Sequence, residues 1–399
     1  MEFDYFFRNP DLPAIDDGPL KGLNIAIQPN IAVKGWPSDA GSRALSGYTA
    51  LEDSTVIKRV KDAGAYIGGS TRMSEFGFGL NESHAGEAVK QGVADAELLL
   101  DMTGEARVAA AERGVPGYKP SYGLISRLGL TNLIPSMESC GVTSKNIQNI
   151  RNILAVIAGQ DGLDFSMPDT DRPDFRKREI LPAKTTIGLI TEAVNMLPEK
   201  ERGLFQASIN SLKDSGFIIR EFSLPDFHLF SLVHSIAGSV EASSCAGRYD
   251  SVRYGERAPG AKNWNEMYIK SRGAAFGSLL KCFLIQGAYF QFEQYRSFED
   301  ACRIRARLLK EMDNIYSHAD FLVFPALNPT GTEETEGLSS IYKRFSFTLF
   351  ANVTGQPVLC LPVASGAGLP GVQLAGPRNS DAGVLTLGEY ILNRRDGGK

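Results

Sequence analysis

Apolar positions along this chain alternate between two habits: short continuous runs, and longer stretches spaced at three and four. "LNIAI" (Leu23–Ile27) is a short apolar run that Pro29 closes, and it predicts a strand. In "DSTVIKRVKDAG" the apolar Val56, Ile57, Val60 and Ala63 share one helical face. Asp53 or Ser54 is placed to cap that helix, and Gly64 to stop it. "AYIGG" directly after is a second strand. Strand, helix and strand with tight junctions predict a βαβ unit, and so a parallel or mixed sheet with helices on its faces.

The alternation recurs. "NIQNIRNILAVIAG" sets Ile147, Ile150, Leu154 and Ile157 on one face and closes at Gly159. "TTIGLI", "EKERGLFQASINSLKDSG" and "FIIREFSL" form another strand–helix–strand group. "DFLVFPAL", "VLCLPV" and "GVQLAG" are late strands, and the last helix runs through "DAGVLTLGEYILNRR". About residues 226–316 are largely helical with Gly- and Ser-rich breaks. One α/β core over residues 1–399 is expected, with that stretch as a helical subdomain. The proline-rich "DFSMPDTDRPDFRKREILPAK" is expected to join the two halves over the surface.

Composition narrows the function classes. The 399 residues are 43% hydrophobic and 22% charged, ordinary for a soluble globular chain. A net charge of −4 and a pI near 5.8 leave no basic footprint for direct nucleic-acid binding. Apolar runs such as "LFSLV" are too short for a membrane span. The start "MEFDYFFRNPDLP" has neither the basic-then-apolar pattern of a signal peptide nor the bias of a transit peptide. The five cysteines (Cys140, Cys245, Cys282, Cys302, Cys360) are scattered, which suits the cytoplasm or another reducing compartment. No P-loop, dinucleotide fingerprint, zinc spacing or EF-hand loop is present, so no cofactor and no metal is expected.

Three stretches are candidates for chemistry. "TGEAR" (Thr103–Arg107) precedes an alanine-rich helix start, whose backbone N–H groups could hold an anion or oxyanion; a plain turn before a helix explains the spacing better. Cys140 in "MESCG" is a thiol that would need a base or positive dipole beside it. No motif brings His84, His228, His234 or His318 there, and packing is the commoner use of such a cysteine. "EASSCAGRYDSVRYG" gathers Arg248, Tyr249, Asp250, Arg253 and Tyr254, which fit a polar pocket and a salt-bridged helix end equally.

Segments in order along the chain resemble the amidase signature family. They are "GPLKGLNIAIQPNIAVKG", "AGSRALSGY", "EDSTVIKRVKDAGAYIGGSTRMSEFGFG", "GVPGYKPSYGLISRLGL", "NILAVIAGQDGLD", "DFLVFPALNPTG", "FANVTGQPVLCLPV" and "GLPGVQLAGP". "SVEASSCAGRYDSVRYG" and "EMYIKSRGAAFG" resemble its glutamyl-tRNA(Gln) amidotransferase branch in particular. The resemblance implies a central mixed sheet flanked by helices on both faces. It also implies a Ser–Ser–Lys triad, in which a neutral lysine and a second serine activate a nucleophilic serine.

At the family's lysine position this chain has Gln28, in "IAIQPN"; Lys34 belongs to a separate feature. "DMTGEAR" aligns with the nucleophile motif through Asp101, Gly104 and Arg107, which puts Glu105 at the serine. The Gly/Ser loop of the second serine is shortened to "LNESHAGEAVKQGVADAELLLD", where Ser83 stands alone. Phe345 takes the place of the branch's glutamine-binding aspartate, while Arg305 in "ACRIRARLL" matches a basic position beside that pocket.

The expectation from these departures is a catalytically inactive amidase-fold protein, a structural or regulatory subunit of a larger complex. Amidotransferase-like subunits would be its first partners. Met102, Thr103, Gly104, Arg107, Tyr254 and Arg305 would then line a vestigial oxyanion site and pocket. One alternative is a binding protein that keeps the old pocket for a small amide, amino acid or metabolite, anchored by Arg107, Arg253, Tyr254 and Arg305. The other is an amidase or amidotransferase with a rebuilt site that uses Cys140, Glu105 or Glu82 in new roles.

Overall fold

In the computed structural model, residues 3–9, 17–169, 173–329, 337–362 and 371–396 are described. They place eleven strands in one sheet: β1 (Phe7–Arg8), β2 (Asn24–Ile27), β3 (Tyr66–Ser70), β4 (Ala96–Asp101), β5 (Gly117–Lys119), β6 (Ser139–Ser144), β7 (Thr186–Ile190), β8 (Ile218–Phe222), β9 (Phe321–Pro325), β10 (Val358–Leu361) and β11 (Val372–Ala375). Their order is β1-β3-β2-β4-β6-β5-β10-β11-β9-β7-β8. The β3–β2–β4 and β9–β7–β8 pairings are parallel, and the remaining neighbours are antiparallel, so the sheet is mixed as expected. Strands β4, β6, β9, β10 and β11 are buried along their whole length. That explains why β9 and β10 read as continuous apolar runs rather than as an alternating pattern.

The first βαβ unit forms where the apolar spacing places it. Helix α1 (Thr55–Asp62) joins β2 to the parallel β3. Ser54 caps α1, its hydroxyl accepting from the Ile57 N–H at 3.3 Å. Asp53 instead accepts from the Lys34 N–H and pairs with Lys61. Between β3 and β4 the only α-helix among the described residues is the short α2 (Glu87–Lys90); α3 (Glu105–Arg113) follows β4, and α4 (Ile147–Ile157) follows β6.

Helices α5 (Thr191–Asn195) and α6 (Glu199–Asp214) cross from β7 to the parallel β8. The stretch expected to be helical holds α7 (Leu229–Ala246), α8 (Trp264–Ala275), α9 (Ser278–Phe292) and α10 (Tyr295–Tyr316). Helices α11 (Leu338–Arg344), α12 (Leu349–Thr354) and α13 (Asp381–Asp396) complete the fold. Positions 170–172 of the proline-rich connection and the tail residues 397–399 lie outside the described residues. No helix among the described residues is long and apolar enough to cross a membrane.

The topology sets where a site can form. Parallel β2 and β4 are neighbours, so the chain leaves both at the same sheet edge. Gln28 follows β2, while the Met102–Gly104 turn follows β4 and leads into α3. Loops at the carboxyl ends of parallel strands are where α/β folds place ligands.

Candidate functional site

The turn between β4 and α3 is dictated by glycine. Gly104 has φ 132°, and a Cβ there would collide with the Thr348 hydroxyl. The alanine-rich α3 that follows is buried nearly all round. Its first residue, Glu105, is 1% exposed and folds back over its own helix start. One carboxylate oxygen accepts from the N–H groups of Met102 (2.7 Å), Thr103 (2.8 Å) and Gly104 (3.0 Å). The other accepts from the Thr103 hydroxyl (2.5 Å) and the Gly79 N–H (3.2 Å). The N–H groups of Met102, Thr103 and Gly104 thus form an anion nest, and Glu105 itself is its occupant. Burial raises the Glu105 carboxyl above its usual range, and the nearby Asp101 charge adds to the rise.

Beneath the nest lies a buried ion pair. Arg107 holds Asp101 through Nε (3.1 Å) and Nη2 (2.9 Å), with both side chains 0% exposed. Its remaining donors go to the Thr348 carbonyl, Gln373 Oε1 and Asn352 Oδ1. Burial works hardest against the Asp101 carboxylate, but the charge and hydrogen bonds of Arg107, with Lys119 and Asn352, together outweigh it and keep the group below its usual range. The expected role of Arg107 as a ligand anchor does not hold, because every direction it offers is spent on the protein.

Gln28 is buried, and its Oε1 accepts from the Leu100 N–H at 3.0 Å, so its side chain ties the end of β2 to β4. An amide cannot take a proton from a nucleophile at neutral pH. Ser83 accepts from the Ala85 N–H in the shortened loop. Cys140 sits inside the sheet opposite Leu100, and burial alone pushes its thiol up to about 12. A thiol so protonated is a poor nucleophile.

Open space lies next to the nest. A cleft of about 970 Å³ is lined by Arg43, Ser74, Glu75, Phe78, Leu80, Glu82, Gly277, Cys282, Ser340, Arg344 and Phe345, among others. Phe78 and Leu80 flank Gly79, whose N–H reaches Glu105, so the nest lies under the wall of this cleft. Glu75 is the notable acid there. It accepts from the Ser42 hydroxyl at 2.7 Å and the Gly277 N–H at 2.9 Å, and burial raises its carboxyl. Arg344 pairs with Glu112 at 2.6 Å, but its buried Nε has no hydrogen-bond partner among the described residues.

Of the residues expected in a pocket, Phe345 and Glu82 line this cleft, and Arg107, Tyr254, Arg253 and Arg305 do not. Arg305 is consumed by the Val353 carbonyl and by the Ser136 hydroxyl and carbonyl. Tyr254 packs against Tyr48 and Tyr249, and Arg253 pairs with Asp250 three residues back, the salt-bridged alternative. Sequence reasoning misses Glu75, Ser42 and Arg344. Glu75 has one signal, a polar "SE" pair just past the end of β3 in "TRMSEFG".

Known proteins bear on what this arrangement is for. The chain is 31% identical over 425 residues to the A subunit of glutamyl-tRNA(Gln) amidotransferase from Natronomonas pharaonis, covering 98% of this chain and 100% of that one. It is 32% identical to the corresponding protein of Lactobacillus acidophilus, covering 93% and 84%. The crystal structure of the Thermotoga maritima counterpart superposes with a TM-score of 0.79 at 22% identity, over 97% of this chain and 86% of that one. The expectation of an inactive, purely structural or regulatory chain is corrected by these findings. Likeness to amidotransferase subunits over nearly the full length gives it no support, and favours an amide-acting protein with a rebuilt site. The Amidase family model matches residues 14–89 and 86–385, and with this sheet the chain belongs to the amidase family.

Proposed function

We propose that this protein acts on amides as an amidase or as the amide-handling subunit of an amidotransferase, with its chemistry rebuilt in the cleft rather than at Gln28 and Glu105. The observation that carries the reading is the cleft itself. A roomy, half-polar space lies against the nest, in a chain whose relatives are named as amidotransferase subunits. Glu75 is the acid–base group of this reading. Its carboxyl is raised by burial, touches the Ser42 hydroxyl and faces the open volume. A carboxylate so placed can take a proton from a hydroxyl or water and return it to a leaving amine. Arg344 in the cleft wall supplies a positive charge for a polar part of the substrate. The relatives' names also support work alongside other subunits.

The test is release of ammonia, and of hydroxamate when hydroxylamine is added, from glutamine, asparagine and simple primary amides. It is run on the purified protein alone and with whatever subunits co-purify. Release is expected, falling roughly 10²-fold or more in Glu75→Gln and holding in Lys213→Ala on the exposed side of α6. Background release from every amide, with co-purified subunits present, overturns the reading.

A further inference from the structure

His234 is a single buried histidine in the apolar run of α7, 0% exposed and unused by the chemistry proposed above. Its Nε2 lies 3.0 Å from the Met102 carbonyl oxygen, and its Nδ1 lies 3.0 Å from the Tyr342 hydroxyl. A carbonyl only accepts, so Nε2 carries the hydrogen; Nδ1 of the neutral ring is then bare and accepts from Tyr342. Burial pushes the imidazole down to about 4, which keeps it in this neutral form at ordinary pH. The two rings also meet edge-on, with centroids 5.7 Å apart.

The carbonyl that His234 holds belongs to the nest. Met102 C=O and Thr103 N–H are opposite ends of one planar peptide, so fixing the oxygen fixes the direction of the N–H. That N–H is the central donor to Glu105. The next peptide is held in a similar way. The Thr348 hydroxyl has the Thr103 carbonyl at 2.6 Å and the Phe345 carbonyl at 2.8 Å, its one proton directed at the nearer. The Gly104 N–H at the far end of the Thr103 peptide also points at Glu105. Tyr342 comes from α11, whose Ser340, Ile341 and Arg344 face the cleft.

We infer that His234, held by Tyr342, and Thr348 are positioning residues that aim the N–H groups of Thr103 and Gly104 into the nest. The His234–Tyr342 arm also ties the nest to the cleft-lining helix α11. The geometry is independent of which group in the cleft does chemistry, so its test needs no activity.

The experiment follows the backbone amides of the full-length protein by ¹⁵N NMR and hydrogen exchange. Tyr342→Phe removes one hydroxyl, His234→Leu removes the donor, and His234→Gln returns an N–H near the Nε2 position. In His234→Leu, Thr103 is expected to exchange roughly five- to tenfold faster, the loss of about one hydrogen bond, and its amide signal to move. Val108 in the adjoining α3 should stay at the parental rate. Tyr342→Phe should give a smaller change of the same kind, and His234→Gln should restore most of the Thr103 signal. A merely structural role would speed exchange across α3 together. Uniform acceleration, an unmoved Thr103 signal in both His234→Leu and Tyr342→Phe, or no recovery in His234→Gln overturns the assignment.

Discussion

At the scale of single residues, the site is governed by charges that cannot reach water. Arg107 and Asp101 neutralise each other at 0% exposure, and each is also hydrogen-bonded to Asn352. Removing one partner of such a pair strands the other, at a cost of about 3–5 kcal/mol. Arg107→Met is therefore expected to lower unfolding stability by about that amount in urea titration. A loss near zero would mean that Asp101 finds a replacement cation. Glu105→Gln is milder. The amide oxygen can still accept from part of the nest, but its NH₂ group must face donors, so a loss of about 1–3 kcal/mol is expected in the same measurement. A more stable Glu105→Gln would contradict the account of the nest as a filled anion site.

At the scale of elements, close approach between helices sets the next prediction. Gly287 of α9 lies against the Ser239 carbonyl of α7, and a Cβ there would overlap that backbone. Gly273 of α8 faces open space, with nothing within 4 Å of an added Cβ. Gly287→Ala should therefore lower the melting temperature by forcing α7 and α9 apart. Gly273→Ala should raise stability by about 0.5–1 kcal/mol through helix propensity alone. Equal responses at the two positions would deny that α7 and α9 are in backbone contact. Elements such as α1, α4 and the buried strands β9, β10 and β11 are legible in the sequence because local apolar runs and periods, and for the helices local caps, decide them. The nest is legible only as a helix start: which anion fills it depends on the Glu105 rotamer, set by Gly79 and Thr103. The donors that aim it, His234 and Thr348, lie 132 and 245 residues away from their acceptors. Arg107 and Arg305 are misplaced for the related reason that a sequence does not show which way an arginine points.

At the scale of the whole molecule, buried groups with displaced ionisation set how stability follows pH. Burial pushes the Glu97 and Glu138 carboxyls from 4.5 up to about 7. The folded state therefore holds their protons more tightly than the unfolded chain, and stability falls as pH rises from about 4.5 to about 7. His234 works the other way: lowered from 6.5 to about 4, it costs stability as pH drops below 6.5. Lys119, lowered by burial from 10.5 to about 7, regains stability as pH rises above 7. Between pH 5 and 6.5 the two carboxyls outnumber the histidine, so these groups together make neutral pH less favourable than mildly acid pH. The test is the Glu97→Gln, Glu138→Gln double variant, melted beside the parent from pH 5 to pH 8. Glu97 accepts from the Thr71 hydroxyl, which can turn to accept from an amide instead. One oxygen of Glu138 has no partner to lose among the described residues. The variant's advantage over the parent should be small or negative at pH 5. It should widen by pH 8, by up to roughly 3 kcal/mol for each site. An advantage that stays flat or shrinks across that range would show that the two carboxyls are ionised without penalty, and that water reaches them through the sheet.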